Sequence, residues 1–167
     1  MDGAPISLMT LISEINASYR APKMEMRRHI KDGIREEQTL FFALLFGLLS
    51  FLSLLPEIAK HAYIMDDSLS ALAAAQFIAS VFMMPLLMYG IAALSHIILA
   101  RFGGQGDHVG ARRALFWAAV VTSPIILASS VLSIYLPVVK IALDILTTLI
   151  FIWQWTSNLK ELEFSNV

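Results

Sequence analysis

Residues Gln38 to Pro56 read QTLFFALLFGLLSFLSLLP, nineteen positions without a charge between Glu37 and Glu57. A helix needs about 20 predominantly apolar residues to cross the hydrocarbon of a bilayer, so this stretch reads as a membrane span. The composition agrees with it. Of the 167 residues, 57% are hydrophobic and 15% charged, against roughly 45–50% and about 25% in an average soluble domain. A net charge of −1 gives no global attraction for nucleic acid or an acidic substrate. The lack of cysteine excludes disulfide scaffolds, thiol chemistry and cysteine-rich zinc sites. Met1 to Arg35 alternates polar with apolar residues and has no secretory-signal pattern. The N-terminus is therefore expected to be retained, with the first span as the insertion signal.

Three more spans follow. The uncharged run from Ser68 to Ala100 is longer than a bilayer requires, since a helix over Ala71 to Ala100 measures about 45 Å. Tilt or a bend must absorb the excess, and Pro85, which lacks a backbone donor, predicts a kink. Gly110 to Tyr135 forms a third span containing Pro124. Pro137 to Asn158 forms a fourth, with proline suited to a first helical position. The fold class expected is all-α: a polytopic bundle of four transmembrane helices, at about 39–57, 69–100, 110–135 and 137–158, preceded over residues 1–37 by amphipathic interfacial segments.

Basic residues in short connections stay preferentially on the cytoplasmic side. Arg20, Lys23, Arg27, Arg28, Lys31 and Arg35 precede the first span, Arg101, Arg112 and Arg113 join the second to the third, and Lys160 follows the fourth; only Lys60 and Lys140 fall opposite. Both termini are therefore expected in the cytoplasm, and the chain in an inner (plasma) membrane.

Between the second and third spans lies RFGGQGDHVGARRALFWAAVVTSP, Arg101 to Pro124. Gly104, Gly106 and Gly110 approach the dinucleotide fingerprint, but Val109 stands where its third glycine belongs. That motif also needs a preceding strand and an acidic residue about 20 positions on, and no acid follows before Asp144. The plainer reading is a turn: glycines end one span, and Asp107 caps a helix starting near His108. Arg112 and Arg113 then fall at headgroup level, with Trp117 near the interface. Arg101, Gly103, Gly104, Gly106, Arg112 and Arg113 form a candidate loop for a partner or a lipid headgroup.

This stretch, with the turn at Pro137, LIFIWQW and KELEFSNV, resembles bacterial members of the Yip1 family of integral membrane proteins. The resemblance rests on Gly103, Gly104 and Gly106, then Ala114, Leu115 and Trp117, then Glu161 and Leu162, and more loosely on Ala21, Pro22 and Lys23. It implies a membrane protein without catalytic residues. The family usually carries a fifth span after the Glu-Leu pair, so either the native chain continues past Val167 or this member lacks that helix. The Asp-Leu-Tyr-Gly-Pro signature of the eukaryotic, GTPase-associated branch is absent, so GTPase binding is not implied.

Asp144 is the principal polar candidate, because a carboxylate inside a span is costly. Lys140 lies four residues earlier on the same helix face, so an i,i+4 pair near the outer surface is the plainer alternative. His96 is expected to bond a neighbouring helix. His29, His61, His96 and His108 are too scattered to suggest zinc, and no metal or cofactor is expected. Asp66 and Asp67 either hold a cation or cap the second span. Ala43, Gly47 and Ser50, and likewise Ala114, Ala118 and Thr122, recur at spacings that let helices approach closely, within one subunit or across a homo-oligomer seam.

Leu8, Leu11, Ile12, Ile15 and Tyr19 share one helical face, and KMEMRRHIKDGIREEQ mixes Met24, Ile30 and Ile34 with basic residues. These segments either lie on the membrane, with Arg27, Arg28, Lys31 and Arg35 among anionic headgroups, or pack beneath the bundle. No spacing supplies a nucleophile with a base, or a metal, so no enzyme is expected. The leading expectation is a non-enzymatic membrane organiser or adaptor, with the bilayer and a membrane-protein partner or second copy as its contacts. The alternative is a small transporter using Asp144 and Lys140.

Overall fold

The computed structural model describes residues 8–33 and 35–164. Helix α1 (Leu8–Arg20) turns at Ala21 into α2 (Pro22–Lys31), and α3 (Glu36–Met65) follows. α4 (Leu69–Ile78) runs through a π turn (Ala79–Met83) into α5 (Met84–Arg101), and α6 (His108–Tyr135) and α7 (Pro137–Phe164) complete the chain. Four segments are long and apolar enough to cross a membrane: Glu36–Met65, Leu69–Arg101, His108–Tyr135 and Val138–Phe164. A helix satisfies all its interior backbone groups within itself, which lipid demands because it offers no hydrogen bonds. The fold is thus an all-α membrane bundle.

Helix α6 is central, contacting α3, α5, α7 and α1. From Arg113 to Ser123 every residue is buried, whereas Pro124 and Val131 beyond are exposed. The change reflects the α1–α2 hairpin, which covers only the first half of α6. Ser18 Oγ accepts from Trp117 Nε1 at 3.0 Å, the Ser18 carbonyl accepts from Gln154 Nε2 of α7 at 2.8 Å, and Tyr19 Oη donates to the Val121 carbonyl. Val121 lies about 20 Å along α6 from His108, so the hairpin corner reaches well into the bundle. Leu11, Ile15, Tyr19, Met26 and Ile30 join the core around Trp117 and Phe42. Of the two arrangements the amphipathic faces permit, these side chains adopt packing on the bundle, while Met9, Ile12 and Met24 stay exposed.

Pro124 and Pro85, inside the third and second spans, each have a local answer. Pro124 cannot donate to the Val120 carbonyl four residues back, and Ser123 Oγ donates to that oxygen at 2.7 Å instead. Ahead of Pro85 the helix widens, so that the Met84 amide bonds the Ala79 carbonyl five residues back; such π turns are single-turn insertions in α-helices. The wide turn presents its backbone to α3. A Cβ on Gly47 would stand 2.5 Å from the Ser80 carbonyl oxygen, so only glycine lets these helices approach as they do.

The helix ends hold one agreement and one correction. Asp107 caps α6, its Oδ1 accepting from the Gly110 amide at 2.7 Å. At the other end of the bundle Ser68, rather than an aspartate, caps α4, accepting from Ala71 at 3.4 Å. Asp66 instead closes α3 in the left-handed region, φ 56°, which aspartate tolerates better than most residues.

Gly47→Ala is expected to lower stability by about 1–3 kcal/mol, as overpacking does. Gly90→Ala, whose new Cβ meets nothing within 4 Å, is expected to leave it unchanged or slightly raised. Unfolding of both variants in the same detergent checks the contrast; equal stabilities would refute the close approach.

Candidate functional site

The polar groups gather at three places. The first closes the glycine loop. Gly103 takes a positive φ of 88° to end α5, and the chain then wraps the last turn of α7. Glu163 is buried there: its Oε2 accepts from the Gly106 amide at 3.1 Å, its Oε1 meets His96 Nδ1 at 2.7 Å, and its carbonyl accepts from the Gln105 amide at 2.8 Å. A Cβ on Gly104 would lie 2.6 Å from Glu163 Oε2, and one on Gly106 2.9 Å from its Cδ. The loop therefore does cradle an anion, and that anion is the chain's own carboxylate. His108 packs its ring against His96, centroids 4.4 Å apart. His96 bonds a neighbouring helix, as anticipated; Glu163 escaped notice because it stands next to the Glu161-Leu162 pair that drew attention.

The second place lies where the hairpin meets α6. Glu14 of α1 and Glu25 and His29 of α2 converge: His29 Nε2 is 3.9 Å from an oxygen of each carboxylate. Trp117, placed by the sequence near the interface, is instead fully buried, because α1 and α2 cover it; its ring centre lies 4.7 Å from that of His29 in a T-shaped pair and 5.0 Å from that of Phe42, which is tilted against it. Arg113 likewise turns inward, 5% exposed, with its guanidinium 4.4 Å from the Phe42 ring centre. Arg112 stays nearer the surface, ion-paired with Glu36 and over the Tyr89 ring. Of the loop candidates, Arg101 and Gly103 are exposed, while Gly104 and Gly106 are partly covered by Glu163. Burial raises the Glu14 carboxyl above its ordinary range, with Glu25 adding to the effect, and burial likewise raises Glu25. Burial first, and then Arg113 and Arg28, push His29 down to about 3, so its imidazole is neutral at physiological pH. Among the described residues, neither His29 ring nitrogen nor Glu25 Oε1 has a hydrogen-bond partner. In the sequence His29 is weighed only against the other histidines, too scattered in the chain for zinc, and neither Glu14 nor Glu25 is singled out.

The third place is the opposite end of the bundle. Lys140 Nζ donates to Glu57 of α3 at 2.8 Å, replacing the i,i+4 bond to Asp144 that spacing suggested. Asp144 remains on the exposed side of α7, beside Ile141 and Ile145, accepting from Ser129 Oγ at 3.3 Å.

Arg27 pairs with the buried carboxylate of Glu161, fastening α2 to α7. Arg28 lies 3.6 Å from Glu25 and 3.9 Å from Asp32; Lys31 and Arg35 are exposed at the same end.

The family model described as the Yip1 domain matches residues 17–166. No curated protein and no solved structure matches the chain.

Glu163→Ala removes the acceptor of the Gly106 amide and the partner of His96. A lost charge-assisted bond of this kind costs about 1.5–3 kcal/mol. Amide exchange at Gln105 and Gly106 is expected to accelerate while the middle of α6 stays protected, as hydrogen-exchange mass spectrometry would show. Unchanged loop exchange would mean that Glu163 does not hold the loop.

Proposed function

The chain belongs to the Yip1 family, and from that premise we propose that it is a non-enzymatic organiser or adaptor of a membrane, acting by contact with another membrane protein or a second copy of itself. The observation that carries this reading is Asp144. A carboxylate within a span is costly in lipid and ordinarily faces a bundle interior or a partner, yet this one lies on the exposed side of α7. α7 leans on α6 and leaves Ile141, Ile145, Leu149 and Ile152 uncovered. A partner helix over this face would cover the carboxylate and the apolar residues together. The glycine loop supports the same reading: its Gln105 and Gly106 amides serve Glu163, and it presents Arg101, Phe102 and Gln105 outward as a fixed surface.

The transporter reading is weaker, because Lys140 gives its hydrogen bond to Glu57 and not to Asp144. We place the end carrying the ten basic residues in the cytoplasm, in a bacterial plasma membrane, with Arg28, Lys31 and Arg35 available to anionic headgroups.

Two experiments test this. Photoreactive residues at Ile145 and Phe102, used in native membranes, are expected to crosslink a recurrent membrane protein or a second copy, with Asp144→Asn weakening capture at Ile145. Lipid adducts alone at both positions would refute the adaptor role. Because the chain has no cysteine, single cysteines report topology without background. Gln105→Cys should resist an impermeant maleimide added to intact cells, and Asp67→Cys should react; the reverse pattern overturns the orientation.

A further inference from the structure

We infer that Glu14, Glu25 and His29 form a binding site for one divalent first-row transition ion of the zinc type, which fastens α1 to α2. One ligand atom from each of the three lies within 4.8 Å of the others. Two carboxylates alone would not make a site. The further observation is His29, a side chain 6% exposed and directed at both carboxylates, whose ring nitrogens have no hydrogen-bond partner among the described residues. A buried imidazole is costly unless its nitrogens are satisfied, and a metal ion takes a nitrogen lone pair. Burial and the nearby guanidinium groups hold the ring neutral, which is the ligating form.

The donor set decides the class of ion. Calcium and magnesium favour all-oxygen shells, whereas an imidazole with two carboxylates suits zinc, manganese or iron. Bonds of about 2.1 Å at a tetrahedral angle set neighbouring donors roughly 3.4 Å apart. The spacings of 3.9 Å close to that by small side-chain rotations about the ion. Three carboxylates, Glu14, Glu25 and Asp32, face two guanidinium groups, Arg28 and Arg113, so the surroundings remain net negative when all are ionised. Trp117 and Phe42 shield one flank from solvent. Glu25 and His29 fall within the region matched by the family model, and Glu14 lies just before it.

The test uses the full chain without a histidine tag, in nanodiscs, titrated with Co²⁺ and followed by its visible absorption. One Co²⁺ per chain, displaced by Zn²⁺, is the expected result. His29→Gln and Glu14→Gln are each expected to weaken binding at least tenfold, while His96→Gln leaves it unchanged. Glu14→Gln decides the matter if His29→Gln does not fold, because Glu14 is the most exposed of the three ligands and lies on the other helix. No saturable uptake by the wild type, or undiminished binding in either folded variant, overturns the site. Undisturbed crosslinking at Ile145 in these variants would show that the metal site and the adaptor role stand or fall separately.

Discussion

A buried carboxylate needs donors, and the way Glu163 obtains them determines how the basic end of the bundle is built. Its carboxylate draws His96 from α5 and the Gly106 amide from the loop, while its carbonyl takes the Gln105 amide. Helix α5 and the loop thereby converge on the last turn of α7. Two residues earlier Glu161 takes Arg27, so α2 is tied to the same turn. The glycines follow from this. Side chains at Gly104 or Gly106 would occupy the space the carboxylate needs, so the loop composition that resembles a nucleotide motif is the imprint of an internal anion.

Deeper in the bundle from the same end, buried polar groups are bonded to one another. Ser18, Trp117 and Gln154 join α1, α6 and α7 through directed bonds, where apolar packing alone would leave the hairpin free to slide along α6. Tyr19 adds a fixed point at Val121. Position along the helix is thus set by hydrogen bonds, and contact area by Leu11, Met26 and their neighbours.

The spans were legible because lipid imposes one rule on every residue: nineteen uncharged positions before Glu57 admit little else. Asp107 was legible as a cap because its partner lies three residues away. Trp117 and Lys140 were not. Each has a local reading, an interface ring or an i,i+4 pair, that is sound for an isolated helix and is displaced by a neighbour distant in sequence. Trp117 is covered by a segment 99 residues earlier, and Lys140 finds Glu57 83 residues back. The Glu14, Glu25 and His29 cluster was hidden for a related reason. Glu14 comes to Glu25 and His29 across the turn between α1 and α2, and a comparison of the four histidines with one another gives no sign of it.

The π turn before Pro85 is what remains when a helix holds one residue more than its regular winding accommodates. One residue corresponds to about 100° around the axis, so the stripe that α4 turns toward α3 does not continue along α5. The latter packs chiefly on α6, where Tyr89 meets Phe116, and buries Met88 and Ala92. A single span thereby serves two neighbours, and the surplus residue acts as a swivel that an uninterrupted helix could supply only by twisting.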